Sequence, residues 1–107
     1  MPETPWGRVQ HRTRIAHGIT FVSTARHGGV RLSPSRAALI PATAKPWTGD
    51  PRFWEEDCDY HVPAVVFEAE FRAWYLSQGR DADALLDLSR NAVRRRPDVD
   101  AFTAWLT

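Results

Sequence analysis

RVQHRTRIAHGITFVSTARHGGVRL, residues 8–32, is the stretch whose reading decides the fold. In its first part Val9, His11, Thr13 and Ile15 fall on one side, and Arg8, Gln10, Arg12 and Arg14 on the other. That period of two marks a half-buried strand with a basic face. His17-Gly18 reads as a tight turn, and Ile19 to Ala25 is rich enough in β-branched residues for a central strand. Arg26-His27-Gly28-Gly29 reads as a second turn, its two glycines able to take positive φ, and Val30-Arg31-Leu32 restarts the alternation. Three antiparallel strands in a meander are expected, with Arg26 and Arg31 extending the basic face across the hairpins.

Outward from this stretch the signals become helical. Ser33-Pro34 fits an N-cap followed by proline at the first helical position, which predicts a short helix from Pro34 to Leu39. Pro41 to Pro51, with three prolines and Gly49, reads as a linker. Phe67, Phe71, Trp74 and Tyr75 give Tyr60 to Gln78 a helical stripe, with Gly79 as its C-terminal cap and Pro63 limiting its start or dividing it. Asp81 or Asp83 caps a further helix that ends at Arg94-Arg95-Arg96, and Asp98 starts a last short one carrying Phe102, Trp105 and Leu106. The expected fold class is therefore α+β: a three-stranded antiparallel meander, a short helix, and C-terminal helices packed on one side of the sheet.

The chain has 107 residues, 43% hydrophobic and 25% charged, the size and composition of one domain over residues 1–107. Cys58 stands alone, which excludes an intrachain disulfide and suits a reducing compartment, so a cytoplasmic location is expected. The start Met1-Pro2-Glu3-Thr4-Pro5 has neither the basic nor the apolar part of a signal peptide, and no apolar run reaches membrane-spanning length. Net charge is +1, but six arginines and Lys45 face only Glu3 in residues 1–45, a balance of +6. Residues 46–107 carry seven arginines against twelve acids, a balance of −5. Such a dipolar molecule favours phosphate or acidic partners through one half and basic partners through the other.

No motif names a reaction. Cys58 and His61 share a spacing that metal ligands or a thiol and its base can use, yet no second ligand pair, oxyanion hole or orienting group accompanies them. Neither metal, cofactor nor catalysis is expected. The acidic run Glu55, Glu56, Asp57 and Asp59 suits a basic protein groove, or else the positive end of a helix beginning there. His27-Gly28-Gly29 offers backbone amides to an anion, or serves only as a turn. Trp74 and Trp105 read as core, Trp6 and Trp47 as lids or partner contacts. The basic face through Arg8, Arg12, Arg14, Arg26 and Arg31 suits a phosphate backbone but lacks interleaved aromatic residues for base stacking.

Thr4-Pro5-Trp6-Gly7 with Gln10, Gly18 to Thr24, His27-Gly28-Gly29, Leu32-Ser33 and Trp54-Glu55-Glu56-Asp57 together resemble a family of unknown function. Its members are short proteins or modules of phages, conjugative plasmids and integrative elements of proteobacteria. The resemblance covers residues 4–72 and implies a setting: small accessory proteins of mobile elements that block host defence. The functional expectation is a non-enzymatic, anti-CRISPR-like inhibitor that binds a bacterial defence protein or ribonucleoprotein. The alternative is a nucleic-acid-binding regulator of the mobile element that uses the basic sheet face.

Overall fold

The computed structural model describes residues 3–106. A two-stranded hairpin, β1 (Glu3–Thr4) and β2 (Gly7–Arg8), precedes a four-stranded antiparallel sheet. The sheet runs in the order β3 (His11–Ala16), β4 (Ile19–Ser23), β5 (Gly28–Leu32) and β6 (Phe53–Glu55). Helices α1 (Pro34–Ala37), α2 (His61–Val66), α3 (Glu68–Ser77) and α4 (Ala82–Arg94) follow, then a 3-10 turn (Val99–Phe102) and α5 (Thr103–Leu106). The architecture is the expected α+β, with C-terminal helices on the sheet. The meander gains a fourth strand, β6, from a segment whose single Phe-Trp-Glu run is too short to show an alternation.

Registers divide the sheet into two faces. Ile19 pairs with Leu32, Phe21 with Val30 and Val30 with Trp54, so these side chains share the front face, which the helices cover. Trp54, Phe71, Leu86 and Phe102 are completely enclosed between the layers. Each such burial stabilises by about 1.5–3 kcal/mol. The back face carries two rows, Arg12–Val22–Gly29–Glu55 and Arg14–Thr20–Arg31–Phe53. A second, smaller core lies there, made by Trp6, Val9, Val22 and Phe53.

Two glycines make that second core possible. A Cβ on Gly29 would stand 2.3 Å from the Trp54 carbonyl and 2.7 Å from Trp6 Cη2, and one on Gly28 would stand 2.7 Å from the Val22 carbonyl. Both are strand residues without positive φ, which corrects the expected turn role: they are needed for close approach, not for a left-handed bend. Trp6 is thereby laid over Gly29, with its Nε1 buried and unpaired.

Helix boundaries also differ from expectation. Arg8 belongs to the hairpin, not to the first sheet strand, which begins at His11. α1 stops at Ala37, and Ser33 caps it by accepting from the Arg36 N–H at 3.2 Å. The long helix breaks at Phe67 (φ −108, ψ 48), not at Pro63, which sits in the first turn of α2, where a missing N–H costs little. Gly79 (φ +70) follows α3, and Asp81 caps α4 by accepting from the Ala84 N–H at 3.1 Å.

Candidate binding face

The arginines come together on the back of the sheet. Arg14 and Arg31 flank Thr20 in one row, two strand spacings or about 10 Å apart. Arg12 lies one row over, opposite Val22, and Arg26 is exposed in the turn between β4 and β5. Arg14 is exposed and Arg31 half-buried, and neither forms an ion pair among the described residues. Beside them a concavity of about 230 Å³ is lined by Gly18, Thr20, Arg31, Ser33 and Pro34. Beside the Phe53 end of that row, the Arg52 guanidinium lies 5.5 Å from the centre of the Phe53 ring and is paired with Asp50 at 2.8 Å.

This face is held rigidly at its corners. Thr24 Oγ1 accepts from the N–H groups of Arg26 and His27, each at 3.2 Å, and its hydroxyl reaches the carbonyls of Trp6 and His27 at 3.0 and 2.8 Å. One threonine thus joins the N-terminal hairpin to the Arg26 turn. Arg36 does the same on the other side, where it donates to the His17 carbonyl at 3.0 Å, stacks on Phe67 and pairs with Glu70.

The acidic run is dispersed instead. Glu55 ends β6, residues 56–60 form turns, and α2 begins only at His61, so no helix start holds these carboxylates. Asp57 is exposed and Glu55 and Glu56 are half-buried, while Asp59 is turned inward with 4% exposure. Burial, the largest influence, raises the Glu55 pKa, reinforced by nearby Asp57 and Asp59 and opposed by the backbone N–H of Asp57. Asp59 accepts from Arg96 Nη1 at 2.8 Å and from the Trp47 N–H at 2.6 Å. Arg96 also binds Asp98 at 2.7 Å and the Lys45 carbonyl at 3.0 Å, and Asp98 accepts from the Lys45 N–H at 2.8 Å. The proline-rich segment is therefore pinned to the C-terminal helices, and Trp47 is presented at 79% exposure.

Cys58 and His61 do not meet as a thiol and its base: Cys58 is exposed, whereas His61 is buried with Nδ1 2.8 Å from Ser89 Oγ. Burial first, and then Arg96, lower the His61 pKa. No group of three or more potential metal ligands occurs among the described residues. On the front face, Tyr60, Tyr75 and Arg80 converge on a cleft that sequence reasoning passed over. Tyr75 belongs to the apolar stripe of α3, whereas Tyr60 and Arg80 flank helices, where periodicity carries no signal.

Hairpin, two-faced sheet and helices together define a small α+β domain with a basic face on one side of the sheet and a helical layer on the other. The chain belongs to the DUF7007 family, a domain of unknown function whose model matches residues 1–105. No curated protein and no solved structure matches the chain. Among the described residues, no helix is long and apolar enough to cross a membrane.

Proposed function

We propose that the protein is a non-enzymatic accessory protein of a mobile genetic element that inhibits a bacterial defence ribonucleoprotein by stoichiometric, anti-CRISPR-like binding. The arginine face of the sheet is its contact surface. The observation that carries this reading is the row Arg14–Thr20–Arg31, two guanidiniums without ion pairs among the described residues and aligned across three strands. Arginine at that spacing suits the phosphate backbone of a guide or target strand. The acidic run supports the reading less, because Asp59 is engaged by Arg96 and only Glu55, Glu56 and Asp57 keep exposed surface.

The test is restriction of phage by a CRISPR-bearing host, with and without the expressed protein. Protection of the phage that disappears in Arg14→Glu/Arg31→Glu, with circular dichroism unchanged, is expected. Unchanged restriction across the common CRISPR types refutes the inhibitor reading. Loss of protection in Glu56→Lys but not in the arginine variant places the contact on the acidic side.

The same row favours a second reading, a nucleic-acid-binding regulator of the element itself. Mobility shifts on plasmid DNA and RNA separate the two. A regulator binds naked nucleic acid with steep salt dependence, and removing both arginines lowers the slope of log K against log salt by about 2. An inhibitor of a ribonucleoprotein binds the assembled complex far more tightly than its bare nucleic acid.

A further inference from the structure

The two edges of the sheet are finished differently. At β6 the outward backbone groups are closed by loops. The Phe53 N–H donates to the Asp50 carbonyl at 2.9 Å, and the Phe53 carbonyl accepts from Thr48 Oγ1 at 3.0 Å. The Glu55 carbonyl accepts from the N–H groups of Asp59 and Tyr60 at 3.0 and 2.9 Å. At the opposite edge, Gln10 to Arg14 are exposed without interruption, and no strand beyond β4 pairs with β3 among the described residues.

The ladder fixes which groups β3 turns outward, because successive residues of a strand bond to alternate sides. The Thr24 N–H bonds towards β5, at the His27 carbonyl, so Phe21 and Ser23 bond towards β3, where they face Thr13 and His11. The backbone N–H and C=O of Arg12 and Arg14 therefore point away from the sheet, while both side chains lie on its back face. For Arg14 neither backbone group has a hydrogen-bond partner among the described residues. Such an edge is a template for one more strand. In pairs that exchange both backbone bonds the side chains stand directly opposite, so residues of an added strand that bond at Arg12 and Arg14 lie beside those guanidiniums. Carboxylates suit these positions, and a β-branched polar residue suits the position between them, opposite Thr13. A second copy of β3 paired about a two-fold centred here sets arginine against arginine, which is unfavourable. A phosphate backbone accepts but does not donate, so it leaves the Arg14 carbonyl unmet; a polypeptide strand meets both groups.

We propose that the outer edge of β3 binds an extended acidic segment of a partner protein by antiparallel strand addition, with carboxylates at the alternate positions opposite Arg12 and Arg14. The register shift between Arg14 and Ala16 ends the regular ladder, so the added segment spans about five residues. The proposal needs the backbone edge and its two flanking charges, and it does not require the arginine row to bind nucleic acid.

The probe is the acetylated and amidated peptide Thr-Glu-Thr-Glu-Thr, titrated into the full chain at low salt and followed through the backbone amides in NMR spectra. A Kd of about millimolar or tighter is expected, with the largest shifts in His11 to Ile15. N-methylation of both glutamates removes the donors that face Arg12 and Arg14 but keeps both charges, and should weaken binding by about tenfold or more. N-methylation of the threonines, whose N–H groups face away, should change it by less than about threefold. The same peptide with lysine in place of glutamate should bind at least about tenfold more weakly. Proline is tolerated at an edge position whose N–H points outward, so Arg14→Pro should keep the fold and lose about tenfold or more, while Arg14→Lys stays within about threefold. Absence of saturable binding by about 10 mM overturns the proposal. Equal affinity for the peptide methylated at its glutamates also overturns it, because charge alone would then account for binding. An oligonucleotide that binds where the peptide does not overturns strand addition and leaves the nucleic-acid reading of the arginine row standing. Should Arg14→Pro fold poorly, the methylated peptides still decide on the unaltered chain.

Discussion

Asp59→Ala tests whether the acidic run is a surface or a structural bolt. The side chain accepts two short hydrogen bonds, from Arg96 Nη1 at 2.8 Å and from the Trp47 N–H at 2.6 Å. Bonds to a charged group contribute about 1.5–3 kcal/mol each, and breaking a buried pair by removing one partner costs about 3–5 kcal/mol. Asp98 remains on Arg96 through two bonds, at 2.7 and 3.0 Å, so the guanidinium keeps a partner and the lower end applies, about 3 kcal/mol. Against a total of about 5–15 kcal/mol that is a large fraction, and it lowers Tm by about 12–24 °C in a domain of this size. Asp59→Asn keeps an acceptor for Trp47 but loses the charge, and should cost about half as much. Urea unfolding followed by far-UV circular dichroism gives the difference at constant m. A cost below about 1 kcal/mol refutes the reasoning, since the pair would then behave as an exposed salt bridge.

Other perturbations follow from the same geometry. Gly29→Ala places a methyl against the Trp54 carbonyl and Trp6, and should cost about 3 kcal/mol, whereas Gly49→Ala, in open space at φ +77, should cost about 1–2 kcal/mol. The reverse ranking in urea melts would show that Trp6 does not rest on Gly29. His61 is held below its ordinary pKa of about 6.5 by burial first and Arg96 second, so it is neutral when folded while the unfolded chain gains the proton. Stability should therefore be fully present above that value and fall as pH drops from 7.5 to 5.5, and His61→Gln should flatten the profile; an equal slope in the variant contradicts this. Asp98 sits below the usual carboxylate range because, although burial raises it most, the Arg96 and Lys45 hydrogen bonds and the Arg96 charge together outweigh that effect. Its contribution should hold above about pH 4 and disappear as pH falls through its lowered value, with acid unfolding shifted upward in Asp98→Asn.

The strand alternation and the Gly18 turn within residues 8–32, and the Ser33-Pro34 cap after them, were legible because they are local signals, whereas Gly28 and Gly29 read as a turn and proved to be strand residues. β6 was not legible, since three residues show no period and Phe53-Trp54-Glu55 joins the sheet only through its register with Gly29 to Arg31. The same gap misled the reading of the acids: with a strand and turns in place of a helix start, Glu55 to Asp59 face different surroundings. For the candidate face, Arg12, Arg14 and Arg31 were legible from parity alone. Arg8 was not, because Gly7 (φ +117) belongs to a separate hairpin that sets it in another element. The Tyr60, Tyr75 and Arg80 group depends on the break at Phe67 and on the packing of α3 against β3, and no spacing encodes either.

The division of the back face explains why an arginine row can persist there. Val22, Gly29 and Phe53 accept Trp6 and Val9, so hydrophobic packing covers one part of the sheet and leaves the row Arg14–Thr20–Arg31 outside it. Like charges directly opposite each other on neighbouring strands are destabilising. Thr20 separates these two by two strand spacings, about 10 Å along the sheet, which is comparable to the Debye length in about 0.1 M salt, so salt weakens their mutual repulsion. A polyanion bridging them is different in kind, since it meets both guanidiniums at contact distance and releases its own counterions in doing so. A strand face serving only solubility gains nothing from excluding carboxylates, because mixed charge serves as well. The row contains none, and Glu55 ends the neighbouring row three strands away from Arg12. Charge reversal of Arg14 and Arg31 therefore separates the two explanations: little change in fold stability with loss of binding supports a contact surface, and unchanged binding leaves the row a solvated face.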